Sequence, residues 1–192
     1  MRFKLVYRGS LRATQRDPRP GTGVLAKHWD LKHAMRRQFH RQLKRLWETR
    51  PFLINNQAME TPKPYHIATL AAVNVMPPWQ FVPLVTDTLS LRTKIEISLL
   101  RSDHPHLNLW SYDGGDVDNR VKTIIDALRV PSANDGYACL VPGPGETPLY
   151  VLIEKDELFD AVCAETDHLL VVPDGEDASY AEVVIAVTIA PM

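Results

Sequence analysis

The feature that most restricts the fold of this chain is one long helical repeat near its N-terminus. Residues 27–48 read "KHWDLKHAMRRQFHRQLKRLWE", and apolar side chains recur there about every four positions, at Leu31, Met35, Phe39, Leu43 and Leu46. A helix with one apolar side must pack against another layer of structure, because that side has to leave water. The pattern therefore predicts a long helix that packs on the core and carries a basic outer face.

The partner layer is predicted to be a β-sheet. Polar and apolar residues alternate in "RFKLVY" (2–7) and in "LSLRTKIEISLLR" (89–101), as they do in half-buried strands. Further strands are predicted at 149–154, within 158–173, at 180–190 and, as a short strand, near Ile67–Val75. A second helix is predicted at 119–129, ended by Pro131. We expect an α+β fold with one domain over residues 1–192: a mixed sheet of about five strands, two or more helices packed on it, and a Pro/Gly-rich insertion near 131–148.

Length and composition favour a soluble globular protein. The chain has 192 residues, of which 45% are hydrophobic and 23% charged, which suits one sizeable core. No apolar run approaches the roughly 20 residues that span a bilayer, and the arginine-rich start lacks the apolar run of a signal peptide. We therefore expect a cytoplasmic protein without a membrane partner. The two cysteines, Cys139 and Cys163, form neither a disulfide framework nor a C-x-x-C zinc pair.

Charge is distributed very unevenly along the chain. Residues 1–50 carry fourteen Lys/Arg and three Asp/Glu, a net charge of +11, whereas residues 51–192 carry eight basic and twenty acidic residues, a net charge of -12. This asymmetry indicates a polyanion-binding surface on one element and a cation-binding region on another, or two halves that attract each other within the fold. The basic face of the first helix is compatible with phosphate binding, with simple solvation or with a membrane-surface helix.

The stretch "GGDVDNRVKTIIDALRVP" (114–131) carries the strongest chemical signal. With Asp118 as N-cap of the second helix, an apolar stripe forms on one side of it, at Val121, Ile124, Ile125 and Leu128. Asp118, Lys122 and Asp126 form a polar ladder beside that stripe. Asp116 lies two residues before Asp118, so an extended chain would point both carboxylates to one side, and Gly114 and Gly115 would allow the turn into this position.

Two close carboxylates repel each other unless a cation neutralises them. Mg²⁺ does so with carboxylate, water and phosphate oxygens, and Lys122 would add a positive charge beside a reacting phosphate. These are the parts of metal-assisted phosphodiester hydrolysis. The alternative from the same residues is a capped surface helix with an Asp118–Lys122 ion pair and an ordinary loop aspartate.

The spacing "DVDNRVKTIIDAL" resembles the D-x-D-N-x-x-K-x-x-x-D-A-L signature of the RusA-type Holliday-junction resolvases. The matching residues are Asp116, Asp118, Asn119, Lys122, Asp126, Ala127 and Leu128. That family consists of small dimeric endonucleases that cut four-way DNA junctions with Mg²⁺. The resemblance is specific over about thirteen residues and is loose elsewhere.

The resemblance implies roles for individual residues. Asp116, Asp118 and a third acid would bind Mg²⁺, with Mn²⁺ as an alternative, and Lys122 would act on the phosphate or the leaving group. Asp126 would orient Lys122 or a metal-bound water. The third acid is expected at Asp156 in "EKDELF", with Glu154 or Glu157 as neighbours, although it lies 28 positions after Leu128 where the family leaves about ten. Asp135 is the alternative, at a spacing nearer to the family's.

The first hypothesis is thus a Mg²⁺-dependent, structure-selective DNA endonuclease that acts on four-way junctions as a homodimer, whose two sites would match the near two-fold symmetry of the junction. Basic side chains of the first helix and of the preceding loop would contact phosphates: Arg12, Arg16, Arg36, Arg37, Arg41, Lys44 and Arg45. Two other hypotheses remain. One is an inactive nucleic-acid-binding protein of the same fold, and the other is a protein-interaction module whose basic helix binds an acidic partner.

Overall fold

A computed structural model describes residues 1–12, 24–51, 53, 74–102, 117–132, 141–177 and 179–191 of the chain. Its helices and strands are β1 (Arg2–Ser10), α1 (Val24–Thr49), β2 (Asn74–Met76), β3 (Trp79–Val85), β4 (Leu91–Arg101), α2 (Val117–Leu128), β5 (Leu149–Ile153), β6 (Phe159–His168) and β7 (Tyr180–Pro191). Single 3₁₀ turns at Asp87–Leu89 and Asp156–Leu158 precede β4 and β6. The predicted α+β class is confirmed.

The described strands form two sheets where one sheet of about five strands was predicted. The larger sheet has the order β1-β7-β4-β6, in which only β4 and β6 are parallel neighbours. The smaller sheet has the order β2-β3-β5, with β3 and β5 parallel. The sequence pattern did not predict β3, because prolines at 77, 78 and 83 argue against a strand. Residues 67–73 of the predicted short strand lie outside the described residues.

Both sheets contribute to one hydrophobic core. Alternate residues of β4 are buried, as the alternation in the sequence predicts, and residues of β3 and β5 belong to the same cluster. The apolar side of α1 is buried against it, with Met35, Phe39 and Leu43 almost fully covered. Burial of these side chains contributes about 2 kcal/mol each to the free energy of folding. No helix among the described residues is both long and apolar enough to cross a membrane.

The chain at the C-terminal end of α2 is hydrogen-bonded to the smaller sheet. Arg129 forms a parallel bridge with Ile153, and the N–H of Val130 donates to the carbonyl of Ile153 at 3.0 Å. The chain that follows β5 therefore emerges next to the C-terminal end of α2. Of the predicted insertion at 131–148, residues 133–140 lie outside the described residues.

The described end of that insertion is held against α1. The carboxylate of Glu146 accepts from the guanidinium Nε of Arg37 and lies 3.4 Å from Nε2 of His33. The other oxygen of Glu146 accepts from the N–H of Gly143 at 2.7 Å, and the carbonyl of Gly145 lies 3.1 Å from Nε2 of His40. Burial alone would raise the pKa of Glu146, but the Gly143 N–H and the Arg37 guanidinium outweigh it and the pKa is lowered.

Candidate functional site

The candidate site is built on α2, which begins at Val117, one residue before the predicted cap. Asp118 thus lies in the first turn of the helix, where the positive end of the helix dipole still favours a carboxylate. Helical geometry places five of the six buried residues of α2 on one side, and they are Arg120, Thr123, Ile124, Ala127 and Leu128. Asp118 and Lys122 are both exposed on the opposite side, separated by about one turn.

Asp126 continues this row of polar residues but is buried. Its Oδ2 lies 2.5 Å from Nζ of Lys32 on α1, and its Oδ1 lies 3.3 Å from the guanidinium of Arg129. Its backbone carbonyl accepts from Nη2 of Arg36 at 2.6 Å. Both carboxylate oxygens are therefore neutralised by cations, which is the condition for burying a carboxylate. The described contacts of Asp126 are with these cations and not with Lys122, so the orienting role assigned to Asp126 stays a prediction.

Asp156 approaches the site from the turn after β5. Its Oδ1 lies 3.3 Å from Nε of Arg129, and its side chain remains 55% exposed. Arg129 thus links the carboxylates of Asp126 and Asp156. This contact is made at the C-terminal end of α2, whereas Asp118 lies at the other end, about 16 Å away along the helix axis between the Cα atoms of residues 118 and 129.

Several predicted residues fall outside the part of the chain that the structure describes. They are Gly114, Gly115, Asp116 and the alternative third acid Asp135. Within the described ranges, no three His, Cys, Asp or Glu side chains lie together as a metal-binding group. Because Asp116 was expected to provide one of the ligands, the site formed by Asp116, Asp118 and Asp156 stays a prediction.

Four of the predicted phosphate contacts form a strip on the outer side of α1. Arg37, Arg41, Lys44 and Arg45 are all exposed, and helical geometry places them within an arc of about 100°. We call these four residues the basic strip. Arg45 lies 3.6 Å from Glu48, and Arg37 pairs with Glu146 while its side chain stays 52% exposed. Arg41 and Lys44 form no ion pair with a described residue, so their charges face solvent.

The prediction that Arg36 belongs to this outer face is wrong. Arg36 is only 1% exposed, because it lies three residues before Phe39 and therefore on the buried side of α1. Its guanidinium donates to the backbone carbonyl of Asp126 on α2, as described above. In the N-terminal region, Arg12 is exposed but pairs with Asp177 at 3.0 Å, and Arg16 lies outside the described residues.

The sequence-based predictions missed Lys32 and Arg129 as components of the site. Arg129 had a local signal, because it follows Asp126 by three residues and the two are neighbours on a helix. Lys32 had none, since it lies 94 positions from Asp126 and meets it only through the packing of α1 on α2. Buried imidazoles were missed for the same reason: His33 and His40 are each 6% exposed.

Comparisons with known proteins do not supply an identity. The chain matches no protein-family model, no curated protein and no solved structure. Its function must therefore be inferred from the chemistry that α2 presents. Asp118 offers carboxylate oxygens for a hard cation at the positive end of a helix, and Lys122 offers a positive charge one turn along the same exposed side.

Proposed function

We propose that this chain is a Mg²⁺-dependent, structure-selective DNA endonuclease that cuts four-way junctions as a homodimer within the cytoplasm. One observation carries the proposal. Asp118 and Lys122 of the D-x-D-N-x-x-K motif are both exposed, on the side of α2 opposite its buried apolar residues. Asp126, the third residue of that row, is instead buried among cations.

In this proposal Asp116 and Asp118 would hold the metal. Asp156 would complete the site only on leaving its ion pair with Arg129, which lies at the opposite end of α2 from Asp118. The oxygens of these acids suit Mg²⁺, which when bound would activate water and neutralise charge on the scissile phosphate. Lys122 stabilises the charge that develops on the phosphate or on the leaving oxygen. The N-terminal end of α2 adds its partial positive charge to the same place.

The buried charges beneath α2 have a positioning role. Lys32 and Arg36 reach α2 from α1, and both contact Asp126. Arg129 connects Asp126 to Asp156, so it ties the expected third acid to the same helix. These contacts fix the angle of α2 and hence the direction in which Asp118 and Lys122 point.

The basic strip on α1 would bind the DNA backbone. Arg41 and Lys44 can exchange counterions for phosphates without breaking an ion pair to a described residue, which makes binding depend steeply on salt. Arg37 and Arg45 add charge beside them, although each already has an acidic neighbour. Together they provide sequence-independent contacts of the kind that a junction-selective enzyme needs.

A second candidate is a nucleic-acid-binding protein without catalytic activity. The observation in its favour is the ion pair of Asp156 with Arg129, because a guanidinium at 3.3 Å competes with a metal for that carboxylate. In such a protein the basic strip would still bind DNA, but the acids would form no metal site.

The direct experiment is cleavage of a synthetic four-way junction in the presence of Mg²⁺. We expect cleavage by the full chain, its abolition by EDTA, and a loss of about 100-fold or more for Asp118→Asn and for Lys122→Ala. Asp174→Asn is the matched control, since Asp174 is an exposed acid in the turn before β7. Equal activity of the wild type and Asp118→Asn would refute the site.

Two binding measurements separate the remaining candidates. If the acids bind a metal, Mg²⁺ should raise the melting temperature of the wild type and not that of Asp118→Asn. An inactive DNA-binding protein would bind the junction without this stabilisation. A protein-interaction module would bind neither Mg²⁺ nor DNA, so it would lack the steep salt dependence expected of phosphate contacts.

A further inference from the structure

The strand β6 is an edge strand of the larger sheet, and both of its faces are open. Its neighbour in the sheet is β4, and seven of its ten residues are exposed. Val162 and Ala164 pair with Ile95 and Ile97 of β4, so they lie on the face of the sheet that carries the core. Yet Val162 is 40% exposed, whereas Ile95 is only 1% exposed. The apolar face of the sheet therefore continues beyond the part that the described residues cover.

The opposite edge of the same sheet is closed by two glutamines of α1. The amide of Gln42 pairs with the backbone of Val6: its Oε1 accepts from N–H at 2.9 Å, and its Nε2 donates to C=O at 2.7 Å. Gln38, one turn earlier, pairs with the N–H and C=O of Arg8 in the same way, at 3.1 and 2.8 Å. These amides occupy the positions at which another strand would bind β1. One edge is thus protected, whereas β6 has no comparable cover among the described residues.

The direction of the backbone groups of β6 follows from its register with β4. Arg101 pairs with His168, and the N–H of Leu169 donates to the carbonyl of Arg101 at 2.7 Å. In a parallel pair alternate residues bond to the neighbour, so from Ala161 to Asp167 the odd-numbered residues of β6 face β4; before Ala161 the register shifts at a bulge that includes Asp160. Val162, Ala164 and Thr166 then direct N–H and C=O outwards. The N–H of His168, the next in this series, is already occupied by Oδ1 of Asp167 at 2.7 Å.

We propose that β6 pairs with β6 of a second copy of this chain, antiparallel and centred on Ala164, to form one continuous eight-stranded sheet. A two-fold axis perpendicular to a sheet requires antiparallel pairing. With the axis at Ala164, Val162 lies opposite Thr166 of the second copy, and Ala161 lies opposite its Asp167. Between Ala161 and Asp167 this puts no two carboxylates directly opposite each other.

The flanks of β6 are apolar and would lie near each other in the same pairing. Phe159 stands at the start of the strand, before the bulge, and Leu169 follows the last residue of the strand. Leu170 and Val171, which follow, are 85% and 77% exposed, although apolar side chains of this size are usually at least partly buried. They would reach the partly buried Phe159 of the other subunit. This inference rests on the proposed function only in taking the homodimer from it. What the inference adds is the surface, β6, through which the two copies would meet.

The first test is the mass of the full chain in solution, measured by light scattering. We expect twice the monomer mass of 21.7 kDa for the wild type and the monomer mass for Ala164→Lys, which sets two lysines against each other across the axis. Ala161→Lys is the matched control on the same strand, because it faces Asp167 of the second copy and should leave the dimer intact. A monomeric wild type, or a dimer that survives Ala164→Lys, would overturn the proposal.

The register is tested by cross-linking in a Cys139→Ser background. Cys163 is exposed and unbonded, and the register places it opposite Glu165 of the second copy. Glu165→Cys should therefore form an intersubunit disulfide on mild oxidation, whereas the parent with Cys163 alone should not. Cross-linking of the parent alone would place the axis at Cys163 and refute this register. A dimer without junction cleavage would refute the proposed function and leave this interface standing. A monomeric wild type that cleaves the junction would refute this interface and the homodimer, and would leave the nuclease activity standing.

Discussion

Lys32 Nζ lies 2.5 Å from Oδ2 of Asp126, and this ion pair joins α1 to α2 across 94 positions of sequence. The two side chains are 14% and 11% exposed, so the pair is largely shielded from water. Arg129 occupies the other oxygen of the same carboxylate at 3.3 Å. The geometry of the candidate site therefore depends on a small buried network of charges as much as on apolar packing.

Removing one partner of this network should cost stability. We expect Lys32→Met to lower the free energy of unfolding by about 3 kcal/mol, because Asp126 would stay buried with Arg129 alone. The double variant Lys32→Met/Asp126→Leu should recover part of that loss, since the buried carboxylate is then gone and Arg129 keeps its ion pair with Asp156. Urea denaturation measures the free energy of unfolding of both variants. A loss of less than about 0.5 kcal/mol in the single variant would show that the pair contributes little.

The stability of the protein should fall as pH drops below about 6.5. Burial lowers the pKa of His40, and burial likewise lowers the pKa of His33, both from the ordinary value of 6.5. Because the pKa of each imidazole is lower in the folded state, the unfolded state binds more protons between the two pKa values. The stability that this difference contributes is fully present above pH 6.5 and is lost as the pH falls towards the folded-state pKa. Each unit of difference contributes about 1.4 kcal/mol.

The measurement is the free energy of unfolding between pH 8 and pH 5, for the wild type and His40→Asn. Nδ1 of His40 accepts from the N–H of Tyr150 at 2.9 Å, so protonating that nitrogen breaks a buried bond. Asn offers an acceptor that does not titrate. We expect His40→Asn to be less stable at pH 8 but to vary less with pH, and an unchanged slope would count against His40 as a source of the dependence.

The glutamine contacts on β1 should contribute to stability although they lie near the surface. We expect Gln42→Ala to cost about 1–2 kcal/mol, because two backbone groups of Val6 lose their partners. Gln42→Glu keeps the size of the side chain but removes the donor to the Val6 carbonyl. It should therefore also be destabilising, and more so at pH 8 than at pH 4. If all three proteins unfold at the same denaturant concentration, the amide contacts do not matter.

Basic residues of α1 should separate into two groups by their effect. We expect Arg41→Ala and Lys44→Ala to weaken junction binding, to reduce the slope of log affinity against log salt by about 1 each, and to change stability by less than about 0.5 kcal/mol. Arg36→Ala should instead lower the free energy of unfolding by about 3 kcal/mol, because Arg36 is buried and donates to the carbonyl of Asp126. Fluorescence anisotropy at several salt concentrations and urea denaturation give the two readouts. If Arg36→Ala weakened DNA binding as Arg41→Ala does and left stability unchanged, that result would contradict the burial of Arg36.

Local patterns predicted the individual elements well. The helical repeat at 27–48 corresponds to α1 at Val24–Thr49, and the alternation at 89–101 corresponds to β4 at Leu91–Arg101. The second helix was predicted at 119–129 and is Val117–Leu128. The strand β3 was missed because its prolines oppose the strand pattern, and a neighbouring parallel strand, β5, overrides that local preference.

What the sequence by itself determined is the set of features that depend on near neighbours: the periods of α1 and β4, the α+β class, and the exposure of Asp118 and Lys122 on one side of α2. Only the tertiary structure decided that the described strands divide into two sheets, that the guanidinium of Arg36 reaches the carbonyl of Asp126, and that Lys32 and Arg129 enclose Asp126. The physical reason is distance along the chain. Periodicity reports which side of an element avoids water, whereas the partner of a buried charge is chosen by packing between elements that lie far apart in sequence.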